Sequence, residues 1–513
     1  MDGSTVTLAA RDRVLALTSW HHDWSGLRVA VLGLGVTGFS VADTLCELGA
    51  RVRVIFGGVD PDREQLLKVI GAEQAQSLSD AVQLESLREF DPELVVVSPG
   101  YRPDHPLTVW AEQRGTVVWG DIELGWRLRD KTDRIADWLC VTGTNGKTTT
   151  TQLTAHMLRA GGLRAAPVGN IGVPILDALR DPQGYDALVV ELSSFQLHRL
   201  GEISPYASVC LNIADDHLDW HGGSRSYRQA KAKVYEHTQV ACVYNRADPA
   251  TEQMVEEADV IEGARAISFG LDAPPASGFG VVEGILVDRG FHAARHNEAF
   301  ELVTLDELAE RSLQAPHLVQ DILAASALAR SRGVEPSEVA QAILSFQPDP
   351  HRAQRLGIFN GVIWIDDSKA TNAHAADASL RALESVVWVV GGLLKGGDLS
   401  DLVRDNAHRL RGVVVIGSDR TAVLEALLRH APEVPRIEVV PGETEETMTL
   451  AVAAAASLAK AGDTVVLSPA AASMDQFSDY ADRGRRFQAA VRVLGGGDAG
   501  DDDTSAEGRG SKQ

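Results

Sequence analysis

The chain reads as α/β throughout: a Rossmann-like N-terminal domain, a central domain of the phosphate-loop ATPase type on a parallel sheet, and a doubly wound C-terminal domain. Three observations predict this. Short apolar runs alternate with helical stretches, the pattern of parallel strands joined by packed helices. Two glycine-rich loops, at Gly33 and Gly143, each follow such a run and open a helix. The length, 513 residues, suits about three domains at roughly 100–200 residues each.

In order, residues 27–32 form an apolar run ending in Gly33-Leu34-Gly35-Val36-Thr37-Gly38, and a helical stretch follows to Leu48, closed by Gly49. Strands are expected at 52–56, 94–97 and 117–119, and the first domain covers 1–126. The second, 127–348, opens with a run at 138–141 and a helix starting near Gln152. Its further strands are expected at 187–191, 208–212 and 240–245. Residues 272–290, carrying Pro and Gly, read as irregular, and 318–330 as helical. Gln347-Pro348-Asp349-Pro350 reads as a linker, because each proline disfavours helix at the residue before it. The third domain, 349–494, has strands at 362–366, 386–390, 413–416 and 464–467, each ending in Gly, Ser or Asp. In open α/β sheets that carboxyl edge is where ligands bind. The polar, acidic tail 495–513 cannot bury enough surface to order itself.

Lys and Arg number 48 against 71 Asp and Glu, a formal charge of −23. There is no basic cluster, so nucleic acid and anionic membranes are poor partners. No apolar run approaches the ~20 residues of a membrane span, and residues 1–13 lack a signal core. Cys46, Cys140, Cys210 and Cys242 have no metal-ligand spacing and read as free thiols. The expectation is a cytoplasmic protein.

The strongest local signal is Gly143-Thr144-Asn145-Gly146-Lys147-Thr148-Thr149-Thr150. Glycines let backbone N–H groups wrap phosphate oxygens, and the following helix N-terminus favours anions. Lys147 can reach terminal phosphates, and the Thr148 hydroxyl can ligate Mg2+. Only two residues separate the glycines, against four in the usual Walker loop. Gly33-x-Gly35-x-x-Gly38 has dinucleotide-fingerprint context, but the next strand ends Phe56-Gly57-Gly58 with no acid to hold a ribose. A nicotinamide-dependent oxidoreductase is therefore disfavoured. A nucleotide diphosphate and a tight structural turn stay open for this loop.

Glu191 ends a strand in Glu191-Leu192-Ser193-Ser194-Phe195-Gln196, and the next strand leads into Asp215-Asp216-His217. Both lie on the edge that carries the phosphate loop. Oxygen ligands with one imidazole suit Mg2+ beside a triphosphate. Lys231 and Lys233, in a helical pattern, are surface lysines by default.

Together these residues resemble the Mur ligase family of peptidoglycan synthesis, from Gly33 to about Phe487. The Gly-Thr-Asn-Gly-Lys-Thr loop and the Glu-Leu-Ser-Ser-Phe-Gln strand end carry the likeness. More specific to its D-glutamate-adding branch are Gly120-Asp121-Ile122-Glu123-Leu124, Asp367-Ser368-Lys369-Ala370-Thr371-Asn372 and Ser468-Pro469-Ala470-Ala471-Ala472-Ser473-Met474-Asp475-Gln476-Phe477. The resemblance implies a monomeric ATP-dependent ligase that adds D-glutamate to UDP-N-acetylmuramoyl-L-alanine through an acyl phosphate. It implies that Gly143, Thr144, Asn145, Gly146, Lys147, Thr148, Thr149, His317 and Arg352 bind ATP. Two Mg2+ ions fall to Thr148, Glu191, His217 and a carbamate on Lys231. Gly35, Val36 and Thr37 fall to the uridine diphosphate, and Asn170 and Ser193 to the muramoyl substrate. Lys369 and Ser473 fall to the D-glutamate carboxylates, and Thr371 and Tyr480 to substrate binding. Lys147, His217, Lys231 and Lys369 would be catalytic. The chain departs from the family at His317-Leu318-Val319-Gln320-Asp321, where His-Asn-x-x-Asn is usual, and at Phe56-Gly57-Gly58, where an acid is usual; Lys395 keeps its lysine in altered surroundings. A sibling ligase, a folylpolyglutamate synthase and a non-catalytic nucleotide-binding protein are the alternatives.

Overall fold

The computed structural model describes residues 8–311, 313–394, 398–440 and 444–495. Lys395 and tail residues 496–513 lie outside them. Among the described residues the chain divides after Gln347 into two compact units.

The first unit holds two sheets. One is wholly parallel, ordered β3-β2-β1-β4-β5, with β1 Arg28–Leu32, β2 Arg51–Phe56, β3 Glu73–Gln76, β4 Leu94–Val97 and β5 Val117–Gly120. The other is ordered β14-β13-β12-β11-β10-β9-β6-β8-β7. Its parallel part is β6 Asp137–Thr142, β7 Ala165–Gly169, β8 Ala187–Glu191, β9 Ala207–Cys210, β10 Ala241–Asn245, β11 Arg265–Phe269 and β12 Gly278–Val282. β13 Ile285–Asp288 and β14 Phe300–Thr304 extend it antiparallel.

Side chains alternate across a strand, so β6 is apolar on both faces for two different reasons. Trp138 and Cys140 join a core with Leu188 and Val190 that continues to Val29, Val31 and Ile122 of the first sheet's domain. Leu139 and Val141 face the opposite way and pack with Leu323 and Leu328 of the helix Pro316–Ser331. The two sheets of this unit thus share one hydrophobic core.

The second unit is a sheet ordered β15-β16-β20-β17-β18-β19. β15 Gln354–Phe359 pairs antiparallel with β16 Val362–Asp366. β17 Val386–Gly391, β18 Leu410–Ile416, β19 Arg436–Glu438 and β20 Thr464–Leu467 are parallel. Trp388 and Val390 face one core while Val387 and Val389 face another, the doubly wound arrangement.

All the strands expected from apolar runs are present. Two expectations are corrected. The helix after the phosphate loop starts at Lys147, not near Gln152, because left-handed Gly146 turns the chain straight into it. Residues 272–290 are not irregular: they hold β12, β13 and the turn Glu283-Gly284, both residues at positive φ. Gly278 and Gly280 break the apolar alternation and hide this hairpin. Gly280 is required there, since a Cβ would stand 2.2 Å from the Asp272 carbonyl oxygen.

Asp288 is buried at the end of β13 and accepts from Arg330 Nε at 2.8 Å. Truncating one partner of such a pair strands a buried charge. Asp288→Ala is expected to lower unfolding free energy by about 3–5 kcal/mol, read from urea denaturation, and Asp288→Asn by less.

Candidate active site

β6 delivers the phosphate loop at its carboxyl end. Gly146, at φ +82°, caps the helix Lys147–Ala160, and a Cβ on it would lie 2.1 Å from Asp321 Oδ1. Only glycine combines that backbone with that neighbour. The loop is braced from the end of β9. Thr144 N donates to the Asn212 carbonyl (2.9 Å), Asn145 N to Asn212 Oδ1 (2.9 Å), and Asn212 Nδ2 to the Asn145 carbonyl (3.2 Å). Tyr227 Oη lies 2.9 Å from Thr144 Oγ1. Lys147 Nζ donates to the carbonyls of Gly143 (2.9 Å) and Thr144 (2.8 Å). Thr148 and Thr149 are buried at the start of the helix.

Lys231 overturns the default of a solvated lysine. It is 1% exposed, on the helix Ser224–Ala232, and donates to the Gly143 carbonyl (2.7 Å) and to Thr142 Oγ1 (3.2 Å). Its ammonium lies 5.0 Å from the Tyr227 ring centre, one helical turn back. Burial, then the nearby Lys147, push its pKa down to about 7. The neutral amine is therefore far easier to reach near neutral pH than it is for a solvated lysine. Lys233 instead spans to the carbonyls of His198 and Leu200.

Glu191 ends β8 with 1% exposure. One carboxylate oxygen accepts from Asn170 Nδ2 at 2.9 Å, and the other is buried without a partner. Ser193, next in this loop, caps the short helix Ser194–His198 through a capping box with Gln196. Phe195 in that helix packs edge-on against the His217 ring, 4.7 Å between centres. His217 itself is left-handed at φ 51°. The two polar segments expected from sequence therefore meet. Among the described residues no three His, Cys, Asp or Glu side chains converge as a ready-made metal site. A cation beside a triphosphate needs few protein ligands, since phosphate oxygens and water complete its shell. The orphaned Glu191 oxygen beside the phosphate-loop strand fits such an ion.

In the first sheet, Gly35 precedes the helix Val36–Glu47, whose opening residues are solvent-facing. Backbone N–H groups at Gly35, Val36 and Thr37 suit a diphosphate. The Gly120–Leu124 motif has a structural role. Buried Asp121 accepts from Gln196 Nε2 (3.1 Å), and Glu123 accepts from Gly201 N (2.9 Å). The first sheet's domain thereby holds the segment that follows Glu191. Burial pushes the Asp121 carboxyl up to about 6.

In the second unit, Lys369 Nζ lies 5.0 Å from the Tyr480 ring centre. Arg483, fully buried, donates to Ser368 Oγ (3.0 Å), the Ser368 carbonyl (2.7 Å) and the Ala471 carbonyl (3.0 Å). It ties the loop carrying Lys369 to the loop carrying buried Ser473. Thr371 is exposed on the first loop, its N–H on the Lys369 carbonyl (2.9 Å). Arg352 is half-buried with Nε unpartnered, beside Asp367. His317 opens the helix Pro316–Ser331 in the first unit.

Three family models match this chain: the Mur ligase MurD-like N-terminal domain over 27–120, the Mur ligase middle domain over 141–329, and the Mur ligase glutamate ligase domain over 351–471. A UDP-N-acetylmuramoylalanine–D-glutamate ligase of Leifsonia xyli subsp. xyli is 62% identical over 98% of this chain and 99% of its own. The chain belongs to the Mur ligase family. A relative of the same name from Streptomyces avermitilis is 50% identical over 92% of this chain and 99% of its own. The crystal structure of UDP-N-acetylmuramate-alanine ligase from Thermotoga maritima shares the fold, with TM-score 0.54, 19% identity and coverage of 91% and 99%.

Within this Mur ligase, Lys147, Thr148, Asn170, Glu191, His217 and Lys231 gather at one edge of the central sheet, and Lys369, Ser473 and Tyr480 at one edge of the second unit's sheet. Sequence reasoning missed Asn212 and Tyr227. The four-residue spacing of Tyr227 and Lys231 was the available signal, since it puts both on one helix face. Gly146→Ala is expected to weaken nucleotide binding more than tenfold, by forcing a side chain onto Asp321 at a left-handed position. Calorimetric titration with ADP measures it, and Gly222→Ala, left-handed with nothing within 4 Å of its Cβ, controls for backbone strain alone.

Proposed function

We propose that this chain joins D-glutamate to the alanine carboxylate of UDP-N-acetylmuramoyl-L-alanine, consuming ATP and releasing ADP and phosphate in peptidoglycan precursor synthesis. The observation that carries the reading is the phosphate loop whose own Lys147 shares the Gly143 carbonyl with buried Lys231, beside Glu191. The activity for which the relatives are named, at up to 62% identity, supplies the substrates.

A carboxylate is a poor electrophile. Its oxygen attacks the ATP γ-phosphorus, the bond to the β-phosphate oxygen breaks, and an acyl phosphate and ADP form. The neutral D-glutamate amine then attacks the acyl carbon and loses a proton, the carbon–oxygen bond to phosphate breaks, and an amide and inorganic phosphate result. Every early participant is anionic and would repel in a site shielded from water. Lys147 offsets that charge at the phosphates. Thr148, Glu191, His217 and a carbamate on Lys231 would hold two Mg2+ ions, which when bound supply further charge shielding. The carbamate forms from CO2 and the neutral amine with loss of one proton. The lowered pKa of Lys231 supports it. Lys369, beside Tyr480, and Ser473 would hold the two D-glutamate carboxylates, with Thr371 at the loop edge. His317 and Arg352 would contact the nucleotide. No helix among the described residues is long and apolar enough to cross a membrane. A cytoplasmic monomer is the state proposed.

The deciding experiment is phosphate release from ATP and Mg2+ with UDP-N-acetylmuramoyl-L-alanine, comparing D-glutamate with L-glutamate, L-alanine and diamino acids. Release only with D-glutamate is expected; release with another amino acid would assign the chain to a sibling activity. Lys231→Ala should lose nearly all activity and regain part of it with added short-chain carboxylic acids. A fully active Lys231→Ala would sink the carbamate. Lys369→Ala should raise the D-glutamate KM about tenfold or more with little change in the ATP KM; equal rises would refute its assignment.

A further inference from the structure

Between the two sheets of the first unit, one cation bridges two loops and owes little to either. Arg102 lies in the loop after β4. The preceding Tyr101 packs against the first glycine loop: a Cβ on Gly33 would meet Tyr101 Cε2 at 3.3 Å and Ser98 Oγ at 2.7 Å. Ser98 Oγ is buried and has no hydrogen-bond partner. From there the Arg102 guanidinium crosses to the other sheet's edge. It donates to the Asp219 carbonyl (2.8 Å) and to Asp219 Oδ2 (3.4 Å), two residues beyond His217. Its Nε also pairs with Asp104 at 3.0 Å.

This clasp is open to solvent: the Arg102, Asp104 and Asp219 side chains are 43%, 71% and 64% exposed. Exposed ion pairs contribute little to stability, and their partners exchange readily with other anions. One edge of the fork, Nε and Nη2, already meets both Asp104 carboxylate oxygens at 3.0 and 3.4 Å, whereas towards Asp219 it finds only a carbonyl and one distant carboxylate oxygen, a mismatched pair that an oxyanion would replace with better geometry. On the ligase reading a muramoyl nucleotide runs from the Gly35–Thr37 helix end to the sheet edge that carries Glu191 and His217; the Arg102 loop touches the first glycine loop through Tyr101 and the second edge at Asp219.

We propose that Arg102 is a substrate-binding residue, exchanging Asp219 for an oxyanion of the incoming muramoyl nucleotide, its diphosphate or its alanine carboxylate. The proposal rests on the ligase reading for the identity of that substrate.

Arg102→Ala and Asp219→Asn separate substrate binding from a merely structural clasp. Arg102→Ala is expected to raise the KM for UDP-N-acetylmuramoyl-L-alanine roughly 10- to 100-fold, with the ATP and D-glutamate KM values and the melting temperature nearly unchanged. It should also flatten the fall of kcat/KM with salt. Asp219→Asn, which removes one of the two competing negative charges beside the arginine, should leave that KM equal or lower. Calorimetric titration with UDP alone names the oxyanion: weaker binding by Arg102→Ala points to the diphosphate, and unchanged binding with a raised substrate KM points to the carboxylate. A KM within twofold of the parent for Arg102→Ala, or an Asp219→Asn variant that reproduces the Arg102→Ala defect, overturns the proposal. If the parent protein releases no phosphate with D-glutamate, the ligase reading itself fails, and the UDP titration still reads Arg102 on its own.

Discussion

A single carbonyl, that of Gly143, accepts from two lysines: Lys147 at 2.9 Å and Lys231 at 2.7 Å. Two ammonium groups held this close in a shielded place repel each other, and the arrangement persists only if one gives up its charge or an anion joins them. Lys231, the more buried, is the one whose proton is loosened. The neighbourhood answers this demand. Glu191 turns a partnerless carboxylate oxygen into it, and Tyr227 offers its ring to one lysine and its hydroxyl to Thr144. The loop, the strand end of β8 and the helix Ser224–Ala232 are therefore arranged around an unbalanced charge that a triphosphate and its cations would complete.

A buried charge also organises the second unit. Buried Arg483 hydrogen-bonds carbonyl and hydroxyl oxygens, and burial lowers its pKa to about 10 although Asp475, Asp366 and Asp367 pull it the other way. Its three hydrogen bonds fix the spacing of two loops that have no sequence proximity. The candidate site side chains of both units sit on loops or where loops meet strand and helix ends, Lys231 on the last turn of its helix, while buried strands and a few buried polar groups keep those loops in place.

Much of this was legible in the sequence because the parallel strands are buried on both faces and so appear as unbroken apolar runs: β1, β4, β6, β8 and β17 are examples. The phosphate loop was legible because its chemistry needs glycine, lysine and threonine at fixed spacing. Polar edge strands were not. β3 reads Glu-Gln-Ala-Gln, and β12 is opened by Gly278 and interrupted by Gly280, so neither carries an apolar alternation. The burial of Lys231 was also hidden, because lysine on a helix is exposed unless the tertiary fold covers it, and only its turn-apart neighbour Tyr227 hinted otherwise. Nor does sequence show that Asp121 and Glu123 reach across to Gln196 and Gly201, since their partners lie more than 70 residues away.

The core common to the two sheets of the first unit has a consequence for how such chains can be recombined. Val29, Val31 and Ile122 contribute to one apolar volume with Trp138, Leu188 and Val190, so each half supplies shapes the other must match. A chimera joined between the first and second sheets would cut through a close-packed interior and mix unrelated halves of it. A junction after Gln347 leaves that interior whole. Exchange between relatives at this point transfers the second unit as a cassette, while the two sheets of the first unit travel together as a single inherited piece.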